Sequence, residues 1–189
     1  MTKIIDKQQL ADQAANLFRM KGYTATSIDD IAKACGITKG SIYHHFSSKE
    51  DVALAALELV HDYYREHIFS IINSRTSPTS ADLKAFNQAV ERFFLQHRHG
   101  CLLANLSLEV GATYEPFKEK IRHYFDDWTS CYVRVFSTFH APKKARALAE
   151  DAVAIVQGCI LMSRIRGNLE SLQRQHAQLL QYCEAMEAH

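Results

Sequence analysis

The chain has 189 residues, 47% of them hydrophobic and 23% charged, which bounds it to one or two soluble globular domains with ample length for a real core. Only 3 Pro and 7 Gly favour long helices over a turn-rich β fold. A net charge of +1 excludes binding of nucleic acid through bulk basicity, so any basic surface must be local.

The N-terminal MTKIIDKQQL turns polar within a few residues and carries no signal-peptide core. A first helix is expected from Lys7 to Lys21, with Asp6 as cap and Gln9 as its return partner. Leu10, Ala14, Leu17 and Phe18 form its inner stripe and Gly22 ends it. The stretch Thr26 to Phe46 then reads TSIDDIAKACGITKGSIYHHF. Thr26 and Ser27 open a second helix, where Ser27 caps and the Asp30 carboxylate reaches back. Ile28, Ile31, Ala32 and Cys35 recur at i, i+3, i+4 and i+7, giving one apolar face, and Gly36 supplies a left-handed end. Thr38 caps a third helix, with Ile37 and Ile42 placed as a hydrophobic staple. Ile42 and Phe46 face inward. Lys39, Ser41, Tyr43, His44 and His45 lie on or beside an outer face with almost no acid, which can enter a major groove.

Ser47 or Ser48 caps a fourth helix, with Glu50 or Asp51 as the matching carboxylate. It carries Val52, Leu57, Val60, Tyr64, Ile68, Ile71 and Ile72 inward and continues to about Asn73. RTSPTS, Arg75 to Ser80, is a loop. A fifth helix starts at Thr79 or Ser80 with Leu83, Phe86, Val90, Phe93 and Phe94 inward, and breaks at Gly100. A short sixth runs from Cys101 to Val110 and ends at Gly111. Pro116 suits the first position of a seventh, which carries Phe117, Ile121, Tyr124, Phe125, Trp128, Tyr132 and Phe136 to about Phe139. His140 to Pro142 is a turn. The eighth covers Lys143 to Arg166, stopped by Gly167, and the ninth covers Asn168 to Glu187. Ala152 to Met162 in the eighth is apolar on nearly every side, so it calls for burial on more than one face. Interrupted by Gln157, it is too short to span a bilayer. The expected class is all-α.

TKGSIYHHFSSKEDV closely resembles the recognition-helix signature of the TetR family of bacterial repressors. LFRMKGYTATSIDDIAKACGI resembles the first part of the same domain, and the match runs without a gap from about Leu10 to Leu57. The resemblance implies a nine-helix architecture. Residues 1–47 would form a helix-turn-helix DNA-binding head, and residues 48–189 a ligand-binding and dimerisation body. It also implies a homodimeric repressor, without membrane attachment, released from a palindromic double-stranded operator by a small-molecule inducer. Lys39, Tyr43, His44 and Lys49 are expected at phosphates. Thr38, Gly40, Ser41 and His45 are expected near bases or setting register. The start of the second helix, Thr26 and Ser27, can aim backbone N–H groups at a phosphate. Lys49 stands at the end of its helix that repels a cation, which a nearby phosphate would reverse.

A pocket is expected among the fourth to eighth helices, with Tyr63, Phe93, Phe94, Leu103, Tyr114, Phe117, Phe125, Trp128 and Tyr132 as candidate walls. An aromatic stripe at helical spacing is also what a plain core looks like. The last two helices match the family's four-helix dimer interface in place. Ala152, Val156, Cys159, Ile160, Ser163, Leu172 and Leu179 are the candidates there. The segment GCLLANLSLEV resembles one in TetR-like repressors that sense oxidants or electrophiles, which makes Cys101 a redox candidate. The alternatives are thus a repressor switched through Cys101, or an all-α ligand carrier that binds no DNA. The 5 cysteines are odd in number and without a C-x-x-C pair, as free thiols in a reducing cytoplasm would be. His97, His99 and Cys101 form an H-x-H-x-C string across a helix break, a poor geometry for metal. No catalytic constellation emerges, so neither an enzyme nor a cofactor is expected.

Overall fold

The computed structural model describes residues 5–110 and 114–184. Among them it forms nine helices and no strand. They are α1 (Lys7–Lys21), α2 (Ile28–Cys35), α3 (Lys39–Tyr43), α4 (Lys49–Tyr64), α5 (Ser80–Gln96), α6 (Leu102–Glu109), α7 (Glu115–Phe136), α8 (Pro142–Arg166) and α9 (Glu170–Glu184). No helix among the described residues is long and apolar enough to cross a membrane.

Local capping chemistry fixes most helix starts. Asp6 and Gln9, Ser27 and Asp30, and Thr79 and Asp82 each form a reciprocal capping box. Ser48 Oγ accepts from the Asp51 N–H at 3.1 Å, which selects Ser48 over Ser47 as the cap of α4. Asn168 Oδ1 accepts from the Glu170 N–H, so α9 starts after Asn168 instead of at it. Its expected residues 185–187 lie outside the described residues, as does Gly111. Pro142 is the first residue of α8, not part of the preceding turn, because a missing N–H costs nothing there.

The fourth helix departs from expectation. It is α-helical to Tyr64, then makes one π-helical turn, Arg65–Phe69, before a last α-helical turn, Ser70–Asn73. The wider turn rotates the side chains that follow. Phe69 is buried beside Ile68 and Ile72, while Ile71, expected inward, is half-buried.

The chain forms two compact units. The first holds residues 1–62 and 102–122, so α6 and the start of α7 belong with α1 to α3. Its core gathers Leu10, Phe18, Ile31, Ile42, Val52, Leu103 and Phe117. Leu17, expected on the inner stripe of α1, is half-buried, and Arg19 is buried instead. The Arg19 carbonyl accepts from Asn105 of α6 and its guanidinium donates to Asn16.

The second unit holds residues 63–101 and 123–189. Its core is aromatic: Tyr64 meets Phe69, Phe93, Tyr124 and Trp128 at centroid distances of 4.8 to 5.5 Å. The first three pairs are edge-to-face and the fourth is tilted, and such ring contacts add to the apolar burial. A buried polar set joins α5 to α9, with His176 Nδ1 2.7 Å from Glu91 and the Asn87 amide donating to the His176 carbonyl.

Five of the residues expected at a dimer face point the other way. Ala152, Val156, Ile160, Leu172 and Leu179 are buried within the protomer, where α8 packs on α9. Cys159 and Ser163 are half-buried. The apolar residues that α8 leaves outside are Ala154, Ile155, Leu161 and Ile165, with Gly158 among them and Met162 half-covered. A helix apolar all round has two apolar faces, and periodicity does not say which turns inward.

Candidate nucleic-acid interface

The first unit presents a short helix whose two faces differ sharply. On its inner side Ile42 is fully buried and Phe46 is 5% exposed. They leave α3 one way to sit. Gly36 takes φ +69° after α2, donating its N–H to the Ala32 and Lys33 carbonyls, and this left-handed residue sets the turn. Thr38 then caps α3, accepting from the Ser41 N–H at 3.2 Å, and the two hydroxyls lie 2.9 Å apart. The outer side exposes Thr38, Lys39, Gly40, Tyr43, His44 and His45, with Ser41 half-buried. Lys39 stands 3.5 Å from Asp29, a solvent-exposed pair that a phosphate can outcompete.

The two residues expected at the start of α2 differ in exposure, and both backbone N–H groups are bonded within the protein, Thr26 to the Tyr23 carbonyl and Ser27 to the Asp30 carboxylate. Ser27 is exposed at the helix N-terminus. Thr26 is 1% exposed, and its hydroxyl donates to the Gly22 carbonyl at 2.7 Å. It secures the bend between α1 and α2, and its side chain does not face solvent.

Hydrogen bonds from the Ser27 hydroxyl and backbone hold the Asp30 carboxyl at about 2, below its ordinary 3.8. A carboxyl lowered on folding stabilises the fold above its unfolded value, and that contribution fades as pH falls through the folded one. The window here is therefore about pH 4 down to about 2. An NMR titration of the Asp30 carboxyl carbon is expected to show a midpoint near 2, moving toward 3.8 in Ser27→Ala. Equal midpoints in the two proteins would rule out the capping box as the cause.

Lys49, at the first turn of α4, is half-buried, and its Nζ lies over the Tyr23 ring, 4.2 Å from the centroid. Burial lowers its pKa, while the Glu50 and Glu109 charges pull it back up. Sequence reasoning passed over Tyr23 and Glu109. The Glu109 carboxylate, at the end of α6, accepts from the Tyr23 N–H at 3.1 Å and the Thr24 N–H at 2.9 Å. The Tyr23 hydroxyl donates to Glu50 at 3.1 Å, and its ring meets Phe117 edge-on at 5.5 Å. Burial first, then the bond to Glu50, pushes the Tyr23 phenol well above its ordinary pKa. Gly22 makes this approach possible: it sits at φ +88°, and a Cβ there would lie 2.6 Å from Glu109 Oε1.

The nine residues expected around a ligand are divided between the units. Leu103, Tyr114 and Phe117 belong to the first, where Tyr114 and Phe117 line an open hollow with Tyr23, Ser48 and Glu50. Tyr63, Phe93, Phe94, Phe125, Trp128 and Tyr132 belong to the second. There Trp128 and Tyr132 are fully buried, Phe125 is half-buried, and Tyr63 is exposed, leaning on Phe93. Phe94 lines a cleft with Leu95, His97, Ile160, Arg164 and Leu169.

Cys101 is 4% exposed and hydrogen-bonds with the Tyr124 hydroxyl inside the second unit. Burial keeps this thiol from solvent, where a redox switch has to meet its oxidant. His97 stacks on Phe93 at 4.1 Å with Nδ1 on the Phe93 carbonyl.

The fold and this surface define a helix-turn-helix, DNA-binding transcriptional regulator. Comparison with known proteins agrees. Residues 10–56 match the family model of bacterial regulatory proteins of the tetR family. Residues 78–178 match the C-terminal domain of LmrA/YxaF-like transcriptional regulators. The chain is similar to the transcriptional regulator AcuR of Cereibacter sphaeroides, 30% identical over 77% of this chain and 70% of that one. It is also similar to IcaR of Staphylococcus aureus, a negative transcriptional regulator of the biofilm operon icaADBC, 28% identical over 77% of this chain and 75% of that one. A crystal structure of a TetR transcriptional regulator from Legionella pneumophila shares the fold, with a TM-score of 0.85 at 22% identity, covering 97% of this chain and all of that one. The chain belongs to the TetR family of transcriptional regulators.

Proposed function

We propose that the protein is a homodimeric repressor that occupies a palindromic operator and is released by a small-molecule inducer. The observation that carries this reading is the acid-free outer face of α3, held outward by the burial of Ile42 and Phe46. Thr38, Gly40, Ser41 and His45 approach bases or set register, while Lys39, Tyr43, His44 and Lys49 hold phosphates. Similarity to a named negative regulator supports repression over activation.

The apolar stripe on α8 supports the dimer. Ile155, Leu161 and Ile165 are 47, 55 and 66% exposed, more apolar side chain than a free surface helix needs to show. A twofold pair places two α3 helices one turn of DNA apart, or a near multiple of it, to read both half-sites. The inducer favours a body conformation in which that spacing is lost, so release follows from its differential affinity for two states. The cleft beside Phe94 and the burial of Cys101 both support a bound small molecule over thiol oxidation as the signal. The functional division follows the same reading: α1 to α3, with Lys49 at the start of α4, grip DNA, and the later helices bind inducer and partner.

Selection of binding duplexes from a random pool, followed by gel retardation, tests the proposal. An inverted repeat bound with steep salt dependence is expected. Lys49→Met should weaken all duplexes alike and lower the salt slope by about one unit per protomer. No retained duplex at low salt would return the protein to the class of ligand carriers.

A further inference from the structure

Lys49 sits where a cation is least welcome. It occupies the first turn of α4, whose unsatisfied N–H groups repel positive charge, and it is half-buried. Its ammonium is held by the face of a ring whose every other attachment is also fixed. Tyr23 is 9% exposed, bound at its hydroxyl by Glu50, at its backbone N–H by Glu109, and at its ring by Phe18 and Phe117. A long lysine stem has rotamer freedom that contact with a phosphate must overcome. A ring already in place under the ammonium removes much of that cost.

We propose that Tyr23 is a positioning residue for the operator: its ring seats the Lys49 ammonium for a phosphate, and the Glu109 carboxylate of α6 holds Tyr23 in place. Neither residue touches DNA. The inference rests on the operator reading above. It extends control of the DNA-facing surface to a carboxylate 60 residues further along the chain than Lys49. It also accounts for the glycine at position 22, since any side chain there would collide with Glu109.

The salt dependence of operator affinity tests it, because a structural role would weaken binding without changing the number of phosphates neutralised. Four full-length variants are compared with the wild type: Lys49→Met, Tyr23→Leu, Tyr23→Phe and Glu109→Gln. Tyr23→Leu is expected to lower the slope as Lys49→Met does, by about one unit per protomer, although it removes no charge. A fifth variant that combines Lys49→Met with Tyr23→Leu should lose nothing further. Tyr23→Phe keeps the ring and should keep the wild-type slope. In the free protein, the Lys49 ε-methylene protons should carry an upfield ring-current shift that Tyr23→Phe retains and Tyr23→Leu abolishes. Should Tyr23→Leu fail to fold, Glu109→Gln decides, with an expected loss of at least about half a unit per protomer. A wild-type slope in whichever of these two is measured overturns the inference and leaves the operator reading standing. Absence of any wild-type binding overturns both.

Discussion

Leu161→Glu combined with Ile165→Glu is expected to convert the protein to single chains in sedimentation and to weaken operator binding by at least about 100-fold, the advantage of linking two heads. Both side chains are more than half exposed on α8, so neither substitution disturbs the protomer's own core, and the far-UV circular dichroism should not change. In a twofold dimer each substitution counts twice. Four apolar side chains, each already about a third to a half covered in the protomer and so worth about 1–2 kcal/mol, are lost from the interface. Four like charges would be brought together in their place, at a further cost of several kcal/mol if desolvated. A sum near 10 kcal/mol exceeds the margin between a nanomolar and a micromolar dimer, about 4 kcal/mol. A variant that still sediments as two chains and still binds the operator would move the interface to another face. Val156→Glu should instead unfold the protomer, because Val156 is fully buried inside it.

Gly22→Ala is expected to lower the melting temperature by roughly 10 °C, a large effect for one methyl group. Gly22 has φ +88° and ψ 163°, a region nearly closed to other residues, and entering it costs about 1–3 kcal/mol. The added Cβ would also displace Glu109 from the Tyr23 and Thr24 N–H groups. Hydrogen bonds to a charged group are worth about 1.5–3 kcal/mol. Together these approach 3–5 kcal/mol, and a chain of this size loses about 2–4 °C per kcal/mol. The two contributions are separable. In a Glu109→Ala background the carboxylate is already gone, so Gly22→Ala should cost the backbone strain alone. Fully additive losses in the double variant would show that the glycine and the carboxylate do not interact.

Both effects concern positions where sequence was of unequal help. The head was legible because its signals are local. Ser27 with Asp30, Gly36 and Thr38 each act within four residues, and a capping box or left-handed glycine is written in adjacent letters. The outward face of α3 followed once Ile42 and Phe46 were recognised as inward. Beside the Ser27 cap, the Thr26 hydroxyl turns back to the Gly22 carbonyl, a contact its place at the helix start does not announce.

What escaped depends on contacts distant in sequence. Glu109 lies 86 residues from Tyr23, and nothing in LSLEV marks one carboxylate as different from its neighbours. A glycine one residue past a helix reads as an ordinary helix stop, and only the close approach of Glu109 gives Gly22 a second meaning. The faces of α8 were ambiguous for a different reason. With apolar residues all round, the choice of Val156 and Ile160 over Leu161 and Ile165 is made by α9, through packing that periodicity does not encode. The π turn at Arg65–Phe69 shifted Ile71 outward in the same silent way.

Recognition of a palindromic operator turns on two heads held at a fixed spacing. Footprinting and sedimentation on a selected operator, and on copies with base pairs inserted between its half-sites, test that directly. Two chains per duplex are expected, with binding lost when about 5 base pairs are inserted, half a turn, and regained at about 10. A single chain per duplex, or equal affinity at every spacing, would contradict it.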